Sequence, residues 1–406
     1  MKAKAQRVIR HDGTTTYTVI GADYLPVAPA HEYLDFMRLD GASPNTIRAY
    51  ARGLALWFDF LGRRGLAWDA FTGLDFGYWI AWLRTGDLPD DLRIGAPPSL
   101  LAPATLQLRS AAVLAFYRYH AAANAMTGPH DVLYSPLAKR GRRPYSPFLE
   151  GIANRRPVKP SPMYKVKAGP KGRTPVLTPQ HVQGILDACT TQRADGTWTG
   201  SLSALRNRLY FAVLAETGMR PGEALTLRHT HMHIGQGEQP RITLTPAEGH
   251  PHGARVKSGH FRTIYVGEDL ASLYTEYVWR LVDAGADMAV VDFTDSFVFV
   301  NSDTSRGEPF RPLRIETIYA AVRSIKRLHE ANFTQRWTPH WFRHTHATAL
   351  LLSGCPPHVV MRRLGHLDVQ TTLSVYGWVT EDAELRAVAD WRRFADGWKE
   401  QLQWTS

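Results

Sequence analysis

The sequence predicts a mainly α protein with a small β-sheet, divided into two domains. Three observations predict it. Apolar residues recur at helical spacing through the first and last thirds of the chain. A β-rich stretch with turn residues, "RITLTPAEGHPHGARVKSGHFRTIYVG" (241–267), interrupts that pattern. Residues 136–175 are rich in Pro, Gly, Lys and Arg, with Glu150 as the only acid, and show no sustained period. A chain of 406 residues is long enough for a domain on each side of that interval.

Taken in order, residues 6–20 read as a short hairpin turning at His11-Asp12-Gly13, within an N-terminal segment 1–26. Residues 27–135 read as a helical domain. Ser43-Pro44 is a helix start, with serine as N-cap and proline at the first position. Ile47, Tyr50, Leu54, Trp57 and Leu61 then follow on one face, while Arg48 and Arg52 lie four apart on another, free to meet phosphates. Two more helices are predicted around 74–84 and 103–123. The interval 136–175 is a basic linker or extended arm, whose Arg140, Arg142 and Arg143 suit contact with a nucleic-acid backbone.

The second domain is placed at 176–406. Thr178-Pro179 opens a helix, and residues 201–217 form another that ends at Gly218. Strands follow, then helices dominate from about 268. Near the end, Leu385, Val388, Trp391, Ala395, Trp398 and Leu402 form an apolar stripe at three- and four-residue steps, expected to dock on a neighbouring copy.

The net charge of +11 and pI of about 9.7 point to a polyanionic partner, nucleic acid first. No apolar run approaches the roughly 20 residues that span a bilayer, so no membrane role is expected. The N-terminus lacks the apolar core of a secretion signal. Two cysteines, Cys189 and Cys355, make neither a disulfide framework nor a zinc ribbon, which fits a reducing cytoplasm.

Four groups of residues could do chemistry. In "ETGMRPGEALTLR", Gly218 ends one helix and Pro221 opens the next, so Arg220 is pinned beside a helix N-terminus where a phosphate could sit. Glu223 could orient its guanidinium, and a purely structural Arg220–Glu223 salt bridge fits the same residues. In "TPHWFRHTHATALLLSG", His340 and Arg343 share a helical face and could hold two oxygens of one anion. His344 and His346 are read as packing or hydrogen-bonding residues. A zincin-like helix would need glutamate after its first histidine, and Trp341 stands there, so no metal is expected. In "LGHLDVQTTLSVYGWV", Leu364-Gly365 closes a short helix before His366, and Asp368 can cap the helix that carries Tyr376. In "ARVKSGHFRTIYV", Lys257 lies at a turn tip that could reach into a cleft.

In this order, Arg220, Lys257, His340 with Arg343, Leu364-Gly365-His366, and Tyr376 resemble the motif set of the tyrosine recombinases, or phage integrases. The likeness covers about 175–400, and "SPNTIRAYARGLALWFDFL" is similar to the helical core-binding, SAM-like domain that precedes the α+β catalytic domain in that family. The chain departs from the family where histidines replace an acidic segment near "RHTHMHIGQGEQP" and where the loop at 245–254 is long.

The resemblance implies a site-specific DNA recombinase that needs no cofactor. Tyr376 would attack phosphorus, Arg220 and Arg343 would neutralise the non-bridging oxygens, His340 would serve as base, His366 would bind a phosphate oxygen, and Lys257 would protonate the leaving 5′-oxygen. It also implies a homotetramer on paired duplex DNA sites, a Holliday junction, accessory DNA-bending or directionality factors, and a bacterial cytoplasm with nucleoid association. Integration or excision of a mobile element is the expected task. A silent DNA-binding protein, a type IB topoisomerase and a metal-dependent nuclease are the alternatives.

Overall fold

The computed structural model describes residues 2–86, 101–124, 127–134, 162–166, 174–235, 237–246, 250–256, 261–302, 309–328, 337–366, 368, 370 and 376. The chain divides into two compact units, Met1–Lys171 and Gly172–Ser406. Lys257, Arg140, Arg142, Arg143 and the apolar stripe at 385–402 lie outside the described residues.

The first unit opens with the antiparallel hairpin β1 (Lys4–Ile9) and β2 (Thr15–Ile20), in the register Lys4 opposite Ile20. Gly13 takes φ 76° at its turn, a conformation that glycine adopts without strain. Five helices follow: α1 (Ala28–Leu39), α2 (Pro44–Arg64), α3 (Gly73–Thr85), α4 (Pro103–Ala123) and α5 (Thr127–Leu133). Ser43 caps α2 by accepting from the Thr46 amide at 3.1 Å, and Gly65 ends it in the left-handed region. Ile47, Leu54, Trp57 and Leu61 are buried as their spacing predicts, whereas Arg48 and Arg52 are exposed.

Trp57 is the centre of this core. Its ring meets Phe71, Phe76, Trp79 and Tyr117 edge to face, and its indole N–H donates to the Tyr117 hydroxyl at 2.8 Å. That hydroxyl donates onward to the Trp68 carbonyl at 2.6 Å, so the polar atoms of Trp57 and Tyr117 are both paired. Gly53 lets α2 and α4 close up, since a Cβ there would stand 3.0 Å from that of Ala112.

Two boundaries differ from expectation. The hairpin is no separate segment: Val19 is buried in the helical core, and the Val27 amide donates to the Val19 carbonyl at 2.9 Å. Its inward residues supply apolar surface that α2 would otherwise expose. Part of the basic interval also belongs to this unit. Met163 donates its amide to Leu133 at 2.8 Å, Gln107 donates to the Val166 carbonyl at 2.9 Å, and Tyr164 packs over Gly77. The apolar residues at 163–166 explain the docking, which composition alone did not reveal.

The second unit is built on α7 (Leu202–Thr217). Leu205, Leu209, Tyr210, Phe211, Val213 and Leu214 are fully buried along it. Around it lie α6 (Pro179–Asp187), α9 (Glu268–Asp283), α10 (Ile315–Leu328) and α11 (Pro339–Leu352). An antiparallel sheet in the order β3 (Met232–His233), β4 (Arg241–Leu244), β5 (Arg262–Tyr265) covers one side of the core. The single turn α8 (Pro221–Ala224) follows α7, and α12 (Pro357–Leu364) follows α11.

Candidate active site

The site starts where α7 stops. Gly218 takes φ 65° and donates its amide to Leu214 at 3.0 Å, closing the helix. Thr217 firms the exit by accepting from the Met219 amide at 3.2 Å. The chain is thereby aimed so that Arg220 precedes Pro221 at the N-cap of α8. Because α8 is one turn long, its dipole contributes little, and the anion-binding capacity rests on side chains instead.

Glu223 organises those side chains. It is wholly buried, yet it accepts from Arg220 Nη1 at 2.7 Å, from the Arg220 amide at 3.0 Å and from Arg262 Nη2 at 2.5 Å. Burial pushes its carboxyl up, but Arg262, Arg220 and the backbone donor outweigh this, and the net shift is downward. Glu223 is therefore ionised at neutral pH. Arg262 is itself buried, on the inward side of β5 with Ile264. Sequence reasoning missed this role. Its signal was register: Arg262 and Ile264, two apart in a strand, share a face.

Arg343 enters from α11 and is 2 % exposed. Nη1 donates to the Gly218 carbonyl at 2.9 Å, which ties the Thr-Gly turn directly to the second arginine. Nη2 donates to His366 Nε2 at 2.7 Å. Burial, then the charge of Arg220, lowers the Arg343 guanidinium to about 10, so it stays charged. His366 is held down to about 4 by burial and then by Arg343, Arg220 and Arg262. A neutral imidazole that accepts at Nε2 carries its proton on Nδ1. Gly365, at φ 68°, ends α12 and turns His366 into this position.

Tyr376 is 2 % exposed, and its hydroxyl lies 2.9 Å from His344 Nδ1. Burial pushes the phenol up to about 12, against the pull of Arg343 and Arg220. His340 is exposed one turn earlier on α11, with its ring 4.7 Å from that of His344 and nearly perpendicular to it. His346 is structural. It donates from Nδ1 to the Ala215 carbonyl at 3.0 Å and accepts at Nε2 from Arg363 at 2.9 Å. Arg363 also donates to the Glu216 carbonyl at 3.0 Å, joining α7, α11 and α12.

Two guanidinium groups thus bind one carboxylate, and in the same unit a third binds a neutral histidine and the Gly218 carbonyl. At an effective dielectric constant near 20, a single anion about 4 Å from one such cation gains about 4 kcal/mol. Residues 175–382 match the Phage integrase family, and residues 30–124 match the phage integrase N-terminal SAM-like domain. The chain belongs to the phage integrase family, the tyrosine recombinases. Transposase A from transposon Tn554 of Staphylococcus aureus is 26% identical over 378 residues, covering 92% of this chain and 93% of that protein. Tyrosine recombinase XerD of Halalkalibacterium halodurans is 28% identical over 178 residues, 44% of this chain and 51% of its own.

Two solved structures share the fold of this tyrosine recombinase. The XerH recombinase bound to palindromic difH substrate superposes with a TM-score of 0.53 at 16% identity, covering 87% of this chain and 81% of that one. The Tn1549 transposon integrase in complex with circular intermediate DNA gives 0.52 at 17% identity, covering 85% and 93%.

Of the residues picked from sequence, Arg220 and Glu223 form one hydrogen-bonded pair and Arg343 and His366 another, the second tied to the Gly218 carbonyl two residues before Arg220. Tyr376 joins the same helix through His344. The sequence suggests a packing or hydrogen-bonding role for His344, and the residue is hydrogen-bonded to Tyr376. Its position four after His340 puts the two on one face of the helix. Arg48 and Arg52 are on the first unit, with Arg109 of α4 donating to the Arg52 carbonyl at 3.4 Å.

Proposed function

We propose that this tyrosine recombinase cuts and rejoins duplex DNA through a 3′-phosphotyrosine on Tyr376. The observation that carries the reading is the cradle of Arg220, Arg343 and His366 around the Gly218 turn, in one unit with a tyrosine whose hydroxyl already contacts a histidine of α11. A phosphodiester carries one negative charge and gains a second as its phosphorane forms. Arg220 and Arg343 neutralise its non-bridging oxygens, most strongly at that point. His366, with its proton on Nδ1, donates to the same group. Glu223 and Arg262 hold Arg220 in place.

A phenol pushed up to about 12 is a poor nucleophile until its proton leaves, and α11 supplies histidines for that task, His340 among them. Lys257 is the proposed acid for the 5′-oxygen. Fixed guanidinium groups supply the charge that a divalent cation would otherwise bring, so the reaction proceeds without metal or ATP. The covalent bond conserves the phosphodiester, and a 5′-hydroxyl from a second duplex reverses the step.

The wider cycle follows from the same reading. Four copies pair two DNA sites, exchange strands through a Holliday junction, and integrate or excise a mobile element. The 92% coverage against the Tn554 transposase supports that task. Arg48, Arg52, Arg140, Arg142 and Arg143 contact the DNA backbone, and accessory factors set direction. The protein acts on the bacterial nucleoid; among the described residues, no helix is long and apolar enough to cross a membrane.

The test incubates wild-type and Tyr376→Phe chains in EDTA with DNA flanking the gene. A protease-sensitive protein–DNA adduct from wild type alone is expected. An adduct from both chains, or tight binding with no adduct from either, would refute the reading.

A further inference from the structure

Among the described residues, the side chain that holds the Tyr376 hydroxyl is His344. Nδ1 lies 2.9 Å from the oxygen, and the two rings meet edge to face with centroids 5.9 Å apart. Burial, then the charges of His340 and Arg343, holds the His344 imidazole down to about 4, so it is neutral near pH 7. In the tautomer with the ring proton on Nε2, the phenol donates and Nδ1 accepts. Tyr376 is 2 % exposed, which leaves bulk water badly placed to take its proton. The His340 ring lies 4.7 Å from that of His344 and is exposed, so it is the next titratable group on this helix.

We propose that His344 is the group that receives the Tyr376 proton as the phenolic oxygen bonds to phosphorus, with His340 acting behind it. The proposal rests on the reading of Tyr376 as nucleophile. In the step, the Tyr376 oxygen–phosphorus bond forms and the phosphorus–5′-oxygen bond breaks. Its electron pair stays on the 5′-oxygen, which is protonated by the general acid, and the phenolic proton moves to Nδ1. On rejoining, a 5′-hydroxyl attacks phosphorus and Nδ1–H returns its proton to the departing tyrosine oxygen.

Transfer at rest is strongly uphill, because the phenol stands at about 12 and the imidazole at about 4. The free protein therefore keeps a phenol, not a phenolate. The groups that depress the imidazole are His340 and Arg343 on α11, and the phenol is flanked by Arg343 and by Arg220 from the α7–α8 turn. A phosphodiester seated between the two arginines offsets their charge and strengthens His344 as a base. The proton then moves together with bond formation.

The test uses the full chain as wild type, His344→Phe and His344→Asn, with a duplex selected from random-sequence DNA by binding to the Tyr376→Phe chain. The first reading is the rate of covalent adduct formation on a nicked form of that duplex. The second, in the Tyr376→Phe background, is ligation of a strand carrying a 3′-p-nitrophenyl phosphate, whose leaving group departs without a proton. His344→Phe is expected to slow adduct formation about 100-fold or more, the usual range for a lost proton acceptor. His344→Asn places an acceptor near the Nδ1 position without its basicity, and stays at least about tenfold slow.

Neither change should alter the nitrophenyl ligation. An adduct rate near wild type in either variant overturns the proposal, as does a parallel fall in nitrophenyl ligation, which would mean a damaged cradle. Absence of any wild-type adduct on DNA that the chain binds would overturn the nucleophile reading itself, and this proposal with it.

Discussion

Replacing Glu223 by glutamine should loosen the whole second unit as well as the site. The carboxylate is completely buried and accepts from Arg220 Nη1 at 2.7 Å, from the Arg220 amide at 3.0 Å and from Arg262 Nη2 at 2.5 Å. Glutamine keeps the shape but removes the charge and turns an N–H donor toward guanidinium donors. Arg262 has a side chain only 5% exposed, so it cannot regain its hydration without moving β5. Breaking a buried pair from one side costs about 3–5 kcal/mol. For a unit of this size, about 2–4 °C per kcal/mol converts that to a fall in Tm of roughly 6–20 °C.

The pairing also predicts a coupling. In Glu223→Gln/Arg262→Met the uncompensated charge is gone, so the double variant should be more stable than the sum of its parts by about 1–3 kcal/mol. The pH dependence has a definite sign. The folded carboxyl lies below its ordinary value, so its contribution is complete above the unfolded value and disappears as pH falls through the folded one. The gap between wild type and Glu223→Gln should close in that acid range. Calorimetry on the purified chains reads all three effects. A Tm within about 2 °C of wild type at pH 7 would refute the inference that this carboxylate holds the arginines.

Other outcomes follow from the same geometry. Gly218→Ala should destabilise by about 2–4 kcal/mol in denaturant unfolding, since φ is 65° and the new Cβ would stand 2.7 Å from the pinned His346 ring. A cost under about 0.5 kcal/mol would contradict that crowding. Arg343→Lys keeps the charge but cannot bridge the Gly218 carbonyl and His366 at once, so adduct formation should fall about 100-fold with DNA affinity little changed. His229, His250, His344, His346 and His366 are each held down to about 4 against 6.5 unfolded. The unfolded chain then takes up protons that the folded rings refuse, so stability is full above pH 6.5 and declines toward pH 4. His346→Asn should flatten that decline in thermal scans, and a flat wild-type profile down to pH 4.5 would disprove it.

What the sequence made legible were features with local chemistry. Ser43 and Thr178 cap helices that begin with proline, and both accept the expected amide bond. Gly218 and Gly365 end helices in the left-handed region, where few other residues are comfortable. Those stops are also what place Arg220 and His366, the two residues that motif spacing set beside them. The helix α1 carried only half of that mark: Pro29 stands in its first turn, but Val27 offers no side-chain cap, and its amide is instead tied to β2. The partners of Arg262 and His344 were not legible for a related reason. A buried arginine on a strand looks in sequence like any alternating charge, and one histidine among several gives no hint of which ring meets the tyrosine. Tertiary contacts decide both, through Glu223 in one case and Tyr376 in the other.

The most direct measurement is the identity of the atom bonded to DNA. Trypsin should release residues 364–386 of the covalent complex as one peptide, which holds Tyr376 together with Thr371, Thr372, Ser374 and Thr380. After nuclease trimming, fragmentation in a mass spectrometer should place a 3′-phosphonucleotide on Tyr376 and leave the other hydroxyls unmodified. The modification on any other residue, or strand cleavage with no modified peptide at all, would contradict Tyr376 as the nucleophile.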